Sequence, residues 1–298
     1  MQIFDLHADT PSLLFYEKKS FADPSLHFSA GDLENWEHST QVLALFCRPG
    51  LTDDEAYRDF FAMRADTLAK IAPHREKLTP ILAVEDARLL GNSRERLTRL
   101  AACGVRILTL LWRGETTIGG AFDTAVGLTS FGKSVLADCF ALGVLPDLSH
   151  ASLPAFWDAA EMAEEQMKPL LATHSNARTV RDHPRNLYDE QFLAIRRTGG
   201  LVGLCLCPEH LTARSDATLT DAVRHLEHWL ALGGERTVAL GSDFDGIEKT
   251  PTDLTGNRKL SLLAEELLRL GYREETVRAV FYKNAQDFLK IQNKRNTK

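Results

Sequence analysis

The 298-residue chain is predicted to fold as one (β/α)8 barrel, and three observations carry that reading. Eight apolar, β-type runs alternate with stretches of helical spacing, glycines stand where a helix should hand over to the next strand, and five of the runs lead into a histidine or a carboxylate. A doubly wound sheet normally stops at about five or six strands. No linker or break in composition divides the chain, so residues 1–298 are expected to form a single barrel domain.

The first run, Gln2 to Asp5, leads at once into His7 and Asp9. Residues i and i+2 of an extended chain share a face, so an imidazole and a carboxylate would stand side by side there. The second run, Gln41 to Cys47, precedes a helical stretch from Asp54 to Ile71; the third, Thr79 to Glu85, ends on a carboxylate before Ser93 to Cys103. Gly104 then closes that helix as a C′ glycine and the fourth run, Val105 to Trp112, begins. Ser130 to Leu142, closed by Gly143, delivers the fifth run, Val144 to His150. Leu153 to Gln166 separates it from the sixth, Pro169 to Ser175, which contains His174. Asp189 to Arg197 with Gly199 leads to the seventh, Gly200 to Cys207, and Leu219 to Leu232 with Gly233 leads to the eighth, Thr237 to Asp243. Two further helices are expected over Lys259 to Leu270 and Arg273 to Ile291, and the basic tail from about Lys290 to Lys298 reads as a frayed, solvated end.

Composition narrows the class of partner. The chain is 44% apolar and 26% charged with a net charge of -6, which argues against a nucleic-acid footprint and for a small-molecule partner. No apolar stretch of about 18 residues is present, the length a membrane-spanning helix needs, so no membrane partner is expected. The N-terminus enters the first strand without a basic region and an apolar core, and a cytoplasmic protein is expected. Five dispersed cysteines, an odd count, fit buried free thiols better than a disulfide framework. Cys205 and Cys207 could share a strand face, but core packing is the favoured reading.

A barrel of this kind keeps its active residues at the C-terminal ends of its strands. His7, Asp9, Glu85, His150, His174 and Asp243 all stand there, whereas His27, His38, His74, His183, His210, His225 and His228 mostly fall on helix surfaces or in loops. Three histidines and three carboxylates exceed the roughly four ligands of one tetrahedral zinc, so two metals sharing a carboxylate is the economical arrangement.

Six motifs then carry a family resemblance: DLHADT, LAVEDA at Leu82 to Ala87, GLTSFGKSVLADCFALGVLPDLSHAS at Gly127 to Ser152, ATHSNAR at Ala172 to Arg178, RNLYDEQFLAI at Arg185 to Ile195 and GSDFDG at Gly241 to Gly246. In this order, over nearly the whole chain, they resemble the membrane (renal-type) dipeptidase family. The resemblance implies a barrel with two Zn²⁺ per chain that hydrolyses dipeptides and commonly forms a homodimer. It implies His7, Asp9 and Glu85 on one metal and Glu85, His150 and His174 on the other, with Asp243 handling the proton and Arg185 gripping the substrate carboxylate. Asp245, two residues after Asp243, reads as a loop-ordering carboxylate.

Two departures bear on the substrate. Where the renal-type enzymes place a histidine at the end of the fourth strand, this chain has Trp112, whose indole can donate a hydrogen bond but cannot accept one. Where an Asn-Phe-Tyr type stretch is expected in the seventh strand, Cys205-Leu206-Cys207 stands instead. Substrate binding is therefore assigned to Arg185 and Trp112. The alternatives to a dipeptidase are another binuclear hydrolase of the same barrel, such as an N-acyl amino acid deacylase, and a catalytically silent ligand-binding relative.

Overall fold

The computed structural model describes residues 1–295. Its strands are β1 (Ile3–Ala8), β2 (Ser39–Phe46), β3 (Leu78–Glu85), β4 (Val105–Thr109), β5 (Leu145–Asp147), β6 (Leu171–Ser175), β7 (Leu201–Leu204) and β8 (Val238–Leu240). All pair in parallel and in sequence order, and β8 returns to β1 through Asp5 and Leu240 to close the barrel. The helices are α1 (Thr10–Tyr16), α2 (Asp53–Ile71), α3 (Arg94–Ala102), α4 (Ser130–Leu142), α5 (Leu153–Glu165), α6 (Asp189–Arg197), α7 (Pro208–Leu211), α8 (Leu219–Ala231), α9 (Leu260–Arg269), α10 (Glu274–Arg278) and α11 (Asn284–Arg295). The expected (β/α)8 architecture is thus the observed one.

Local chemistry explains where the helices begin and end. Thr52, Thr129 and Ser152 accept the N–H groups of Glu55, Gly132 and Ala155 and so cap α2, α4 and α5. Gly104, Gly143, Gly199 and Gly233 all take the left-handed backbone expected of them, with φ between 70° and 92°.

The barrel interior is layered. Val42, Ala83, Ile107, Leu145, Leu171, Leu201 and Ala239, one from each of β2 to β8, pack with Phe4 and Leu6 of β1 into one apolar cluster. Two residues further along β3 to β7 stand Glu85, Thr109, Asp147, Thr173 and Gly203, with Gly241 just past the end of β8. Side chains two apart on a strand share a face, so the apolar layer is succeeded by a polar one. The apolar layer is closed below by Tyr282, Ala285 and Phe288 near the C-terminus.

Several expected boundaries shift. The fourth, fifth, seventh and eighth runs leave the sheet early, so Trp112, His150, Cys205, Cys207 and Asp243 stand in the loops just beyond their strands. The helix expected over Arg273 to Ile291 is three pieces: α10, a π-turn over Ala279–Lys283, and α11. Asn284 supplies a reason for the break, since its side-chain amide donates to the Glu235 and Val238 carbonyls at the base of β8. Helix α11 continues through Arg295, so the described part of the expected frayed tail is helical, and the remainder lies outside the described residues. Helix α1 and the segment that follows it were not anticipated; Leu14, Phe21, Leu26, Phe28 and Leu33 pack there with Leu43, Ile71 and Leu78 as a separate apolar cluster.

Candidate metal centre

His7, Asp9, Glu85, His150 and His174, from three strands and two loops, converge above the polar layer and are all buried. Glu85 lies between two histidine groups. Its Oε2 is 3.1 Å from His7 Nε2, which is itself 3.4 Å from Asp9 Oδ2. Its Oε1 is 3.0 Å from His150 Nε2 and 3.6 Å from His174 Nε2. The ligating atoms of His7, Asp9 and Glu85, and separately those of Glu85, His150 and His174, lie within 4.8 Å of one another.

Three features of this donor set fit cations. Asp9 Oδ1 is a buried carboxylate oxygen with no hydrogen-bond partner. Nε2 of His150 and Nε2 of His174 approach to 2.9 Å. His150 Nδ1 must donate to the Trp112 carbonyl at 2.9 Å, so the neutral ring turns a bare lone pair toward its neighbour. Two converging lone pairs repel each other unless a cation or a proton lies between them. Titration behaviour agrees: burial and then the field of Glu85 raise Asp9 well above the usual carboxylate range. Burial depresses His150 and, further, His174. Burial acts against the charged forms of His7 and Glu85 as well, but their mutual attraction wins, holding His7 basic and Glu85 acidic.

Asp243 reaches this centre from the loop after β8, with a left-handed backbone at φ 65° and its N–H bonded to the His7 carbonyl at 3.1 Å. Burial pushes its carboxyl up to about 6. Gly246 lets the loop lie this close, because a Cβ there would come within 2.2 Å of Asp9 Oδ2 and 2.9 Å of Asp243 Oδ1. Asp245 points away and accepts from the Thr10 hydroxyl and the His27 and Phe28 N–H groups, the loop-ordering part expected of it.

Arg185 is buried beside the centre, donating to the Ser149 and His174 carbonyls and lying over the Phe122 ring. Trp112 is half-buried against Phe46, with ring centroids 4.8 Å apart. Its clearest contact with the centre is through the main chain, which orients His150. Cys205 is buried as expected, and its thiol also stands 3.5 Å from Asp243 Oδ2 and 3.6 Å from His210 Nδ1. All five cysteines are free thiols. His225, read as a surface or loop residue, is fully buried, accepting from the Ala177 N–H and donating to the Leu211 carbonyl. Sequence reasoning passed over Asp147 and Thr173 although both sit two residues beyond an apolar-layer position, the spacing that marks them as inward-facing.

Residues 60–298 match the family model described as membrane dipeptidase (peptidase family M19). An uncharacterized protein in the pqqA 5' region of Klebsiella pneumoniae is 36% identical over 219 residues, covering 70% of this chain and 79% of that protein. Human Dipeptidase 3 is 29% identical over 217 residues, covering 70% of this chain but 44% of its own length, so the chain spans less than half of that relative. A metallopeptidase from Rhodobacter sphaeroides, solved with a phosphinate mimic of the dipeptide L-Ala-D-Ala, superposes with a TM-score of 0.88 at 24% identity over 97% of this chain and 99% of that one. Among the described residues, no helix is long and apolar enough to cross a membrane.

Proposed function

The chain belongs to the membrane dipeptidase family, and from that premise we propose that it hydrolyses the peptide bond of free dipeptides at a two-metal centre bridged by Glu85. The observation that carries the reading is the placement of Glu85, one oxygen toward His7 and Asp9 and the other toward His150 and His174. Zinc suits the mixed imidazole and carboxylate donors. Bound there, a pair of divalent ions supplies water acidification and polarisation of the scissile carbonyl. Asp243 takes the proton released as water attacks and returns it to the departing amine, and its raised affinity for a proton suits both halves of that exchange. Arg185 receives the substrate's terminal carboxylate. Two of its five N–H donors are spent on main-chain carbonyls, which fixes the plane of the fork and leaves donors for a ligand.

A C-terminal D-residue among the accepted substrates belongs to the same proposal, supported by the L-Ala-D-Ala mimic held by the Rhodobacter relative. So do a homodimer, implied by the family, and a cytoplasmic site of action, with which five free thiols accord.

The test is a comparison of free dipeptides, their N-acetyl forms and their C-terminal amides on zinc-loaded protein. Free dipeptides should be preferred over both blocked forms. Preference for the N-acetyl form would instead identify a deacylase, and turnover of none of them a silent ligand-binding relative. Arg185→Ala should lower kcat/KM for free dipeptides by roughly one to two orders of magnitude, the loss of a charge-assisted pair worth about 1.5 to 3 kcal/mol, and should affect amides far less. Equal wild-type rates on acids and amides would show that no carboxylate is read.

A further inference from the structure

A third group of metal-capable side chains, His7, Asp147 and His174, shares two members with the centre just described. A protein hydroxyl lies within bonding distance of all three. Thr173 Oγ1 is 3.1 Å from His7 Nδ1, 2.8 Å from His174 Nδ1 and 2.7 Å from Asp147 Oδ2, and all four residues are fully buried or nearly so. A hydroxyl has one proton and two lone pairs. An ionised carboxylate can only accept, so the proton goes to Asp147 and both lone pairs remain for N–H donors. Asp147 is held in that role from every side: the Thr109 hydroxyl also donates to Oδ2, while Oδ1 accepts from the Ser149 hydroxyl and from the Ser149 and Thr173 N–H groups.

We infer that Thr173, oriented by Asp147, is a positioning residue that keeps the protons of His7 and His174 on Nδ1 and thereby presents both Nε2 lone pairs to the metal centre. The inference deepens the two-metal reading, since one histidine faces each oxygen of Glu85. One hydroxyl thus sets the tautomer of a ligand on each metal.

The backbone is built around this residue. The pairing of β6 with β7 shifts register between Ala172 and Ser175, and the Thr173 carbonyl oxygen fills space where two neighbouring residues would carry side chains. A Cβ on Gly203 would meet that oxygen at 1.9 Å and one on Gly241 at 1.8 Å. Only glycine at both positions, one on the adjoining β7 and the other just beyond β8, lets Thr173 sit where it does.

The test sets Thr173→Val, which keeps the shape and removes the hydroxyl, against Thr173→Ser, which keeps the hydroxyl. Zinc affinity, measured by competition with a chelator, should fall about 10- to 100-fold in Thr173→Val, the range for supporting partners of metal-bound histidine. The slowly exchanging Nδ1–H resonances of His7 and His174 should vanish with it, and Thr173→Ser should retain both. Wild-type affinity with both resonances intact in Thr173→Val overturns the inference. Should that variant fail to fold, Asp147→Asn, which removes the charge that orients the hydroxyl, must weaken zinc and disturb the same resonances, and wild-type behaviour there overturns it equally. A wild-type chain that takes up no metal would defeat the two-metal reading instead. The ring ¹⁵N spectrum of that metal-free protein would still decide the role of Thr173: protonation of His174 on Nδ1 that is lost in Thr173→Val supports it, and a tautomer unchanged by the substitution overturns it.

Discussion

Asp243→Asn should lower turnover by roughly two to four orders of magnitude, the range for a general acid-base group, while metal content barely changes. The substitution keeps the planar side chain and the left-handed backbone at φ 65°, which asparagine tolerates as aspartate does. It removes only the capacity to take a proton. The pH profile separates this from mispositioning. A base works when ionised, so wild-type activity should fall as pH drops and the carboxyl gains its proton. Burial, offset in part by His7 and Arg185, brings that point to about 6, and bound cations, by favouring the charged form, move it lower. The acidic limb contributed by Asp243 should be missing from the variant. A variant with wild-type kcat would place the base elsewhere.

Glu85→Ala should empty both halves of the centre together and reduce hydrolysis to background. Wild-type protein should carry close to two divalent ions per chain by elemental analysis. Loss of a partner outside the coordination sphere typically weakens metal binding about 10- to 100-fold, so removal of a shared direct ligand should exceed that on both sides of Glu85. Asp9→Ala offers the contrast, because Asp9 approaches only the His7 side and its removal should spare the His150 and His174 side. Because metal binds the folded chain, the Glu85 variant should also lose the rise in thermal stability that zinc gives the wild type. Selective loss of one ion on removing Glu85 would contradict bridging.

The barrel and the converging residues were legible because both rest on short-range rules. Period-two patterning marks Glu85 as inward-facing two residues after Ala83, and C′ glycines mark four of the handovers. What escaped depends on partners distant in sequence. Thr173 is an ordinary β-branched strand residue until His7, 166 positions away, is brought to its hydroxyl. His225 resembles any polar helix residue until Ala177 and Leu211 close on its two ring nitrogens. Trp112 was read for its indole, whereas its contact with His150 is made by a main-chain carbonyl, which side-chain identity does not reveal. Cys205 is buried as expected, and only the fold shows Asp243 beside its thiol.

The floor of the barrel has a consequence for how the molecule is made. Tyr282, Ala285 and Phe288 cover the apolar layer from below, and they leave the ribosome after every strand they cover. Strand β8, which completes the ring against β1, also emerges late. A nascent chain must therefore carry an open and growing sheet until β8 and the floor have been made, a state with exposed apolar surface and unpaired edges. Emergence of the segment carrying Tyr282, Ala285 and Phe288 is then the event that seals the closed sheet, and a chain stalled before Ala279 should partition to chaperones or aggregates instead of accumulating as a smaller stable domain.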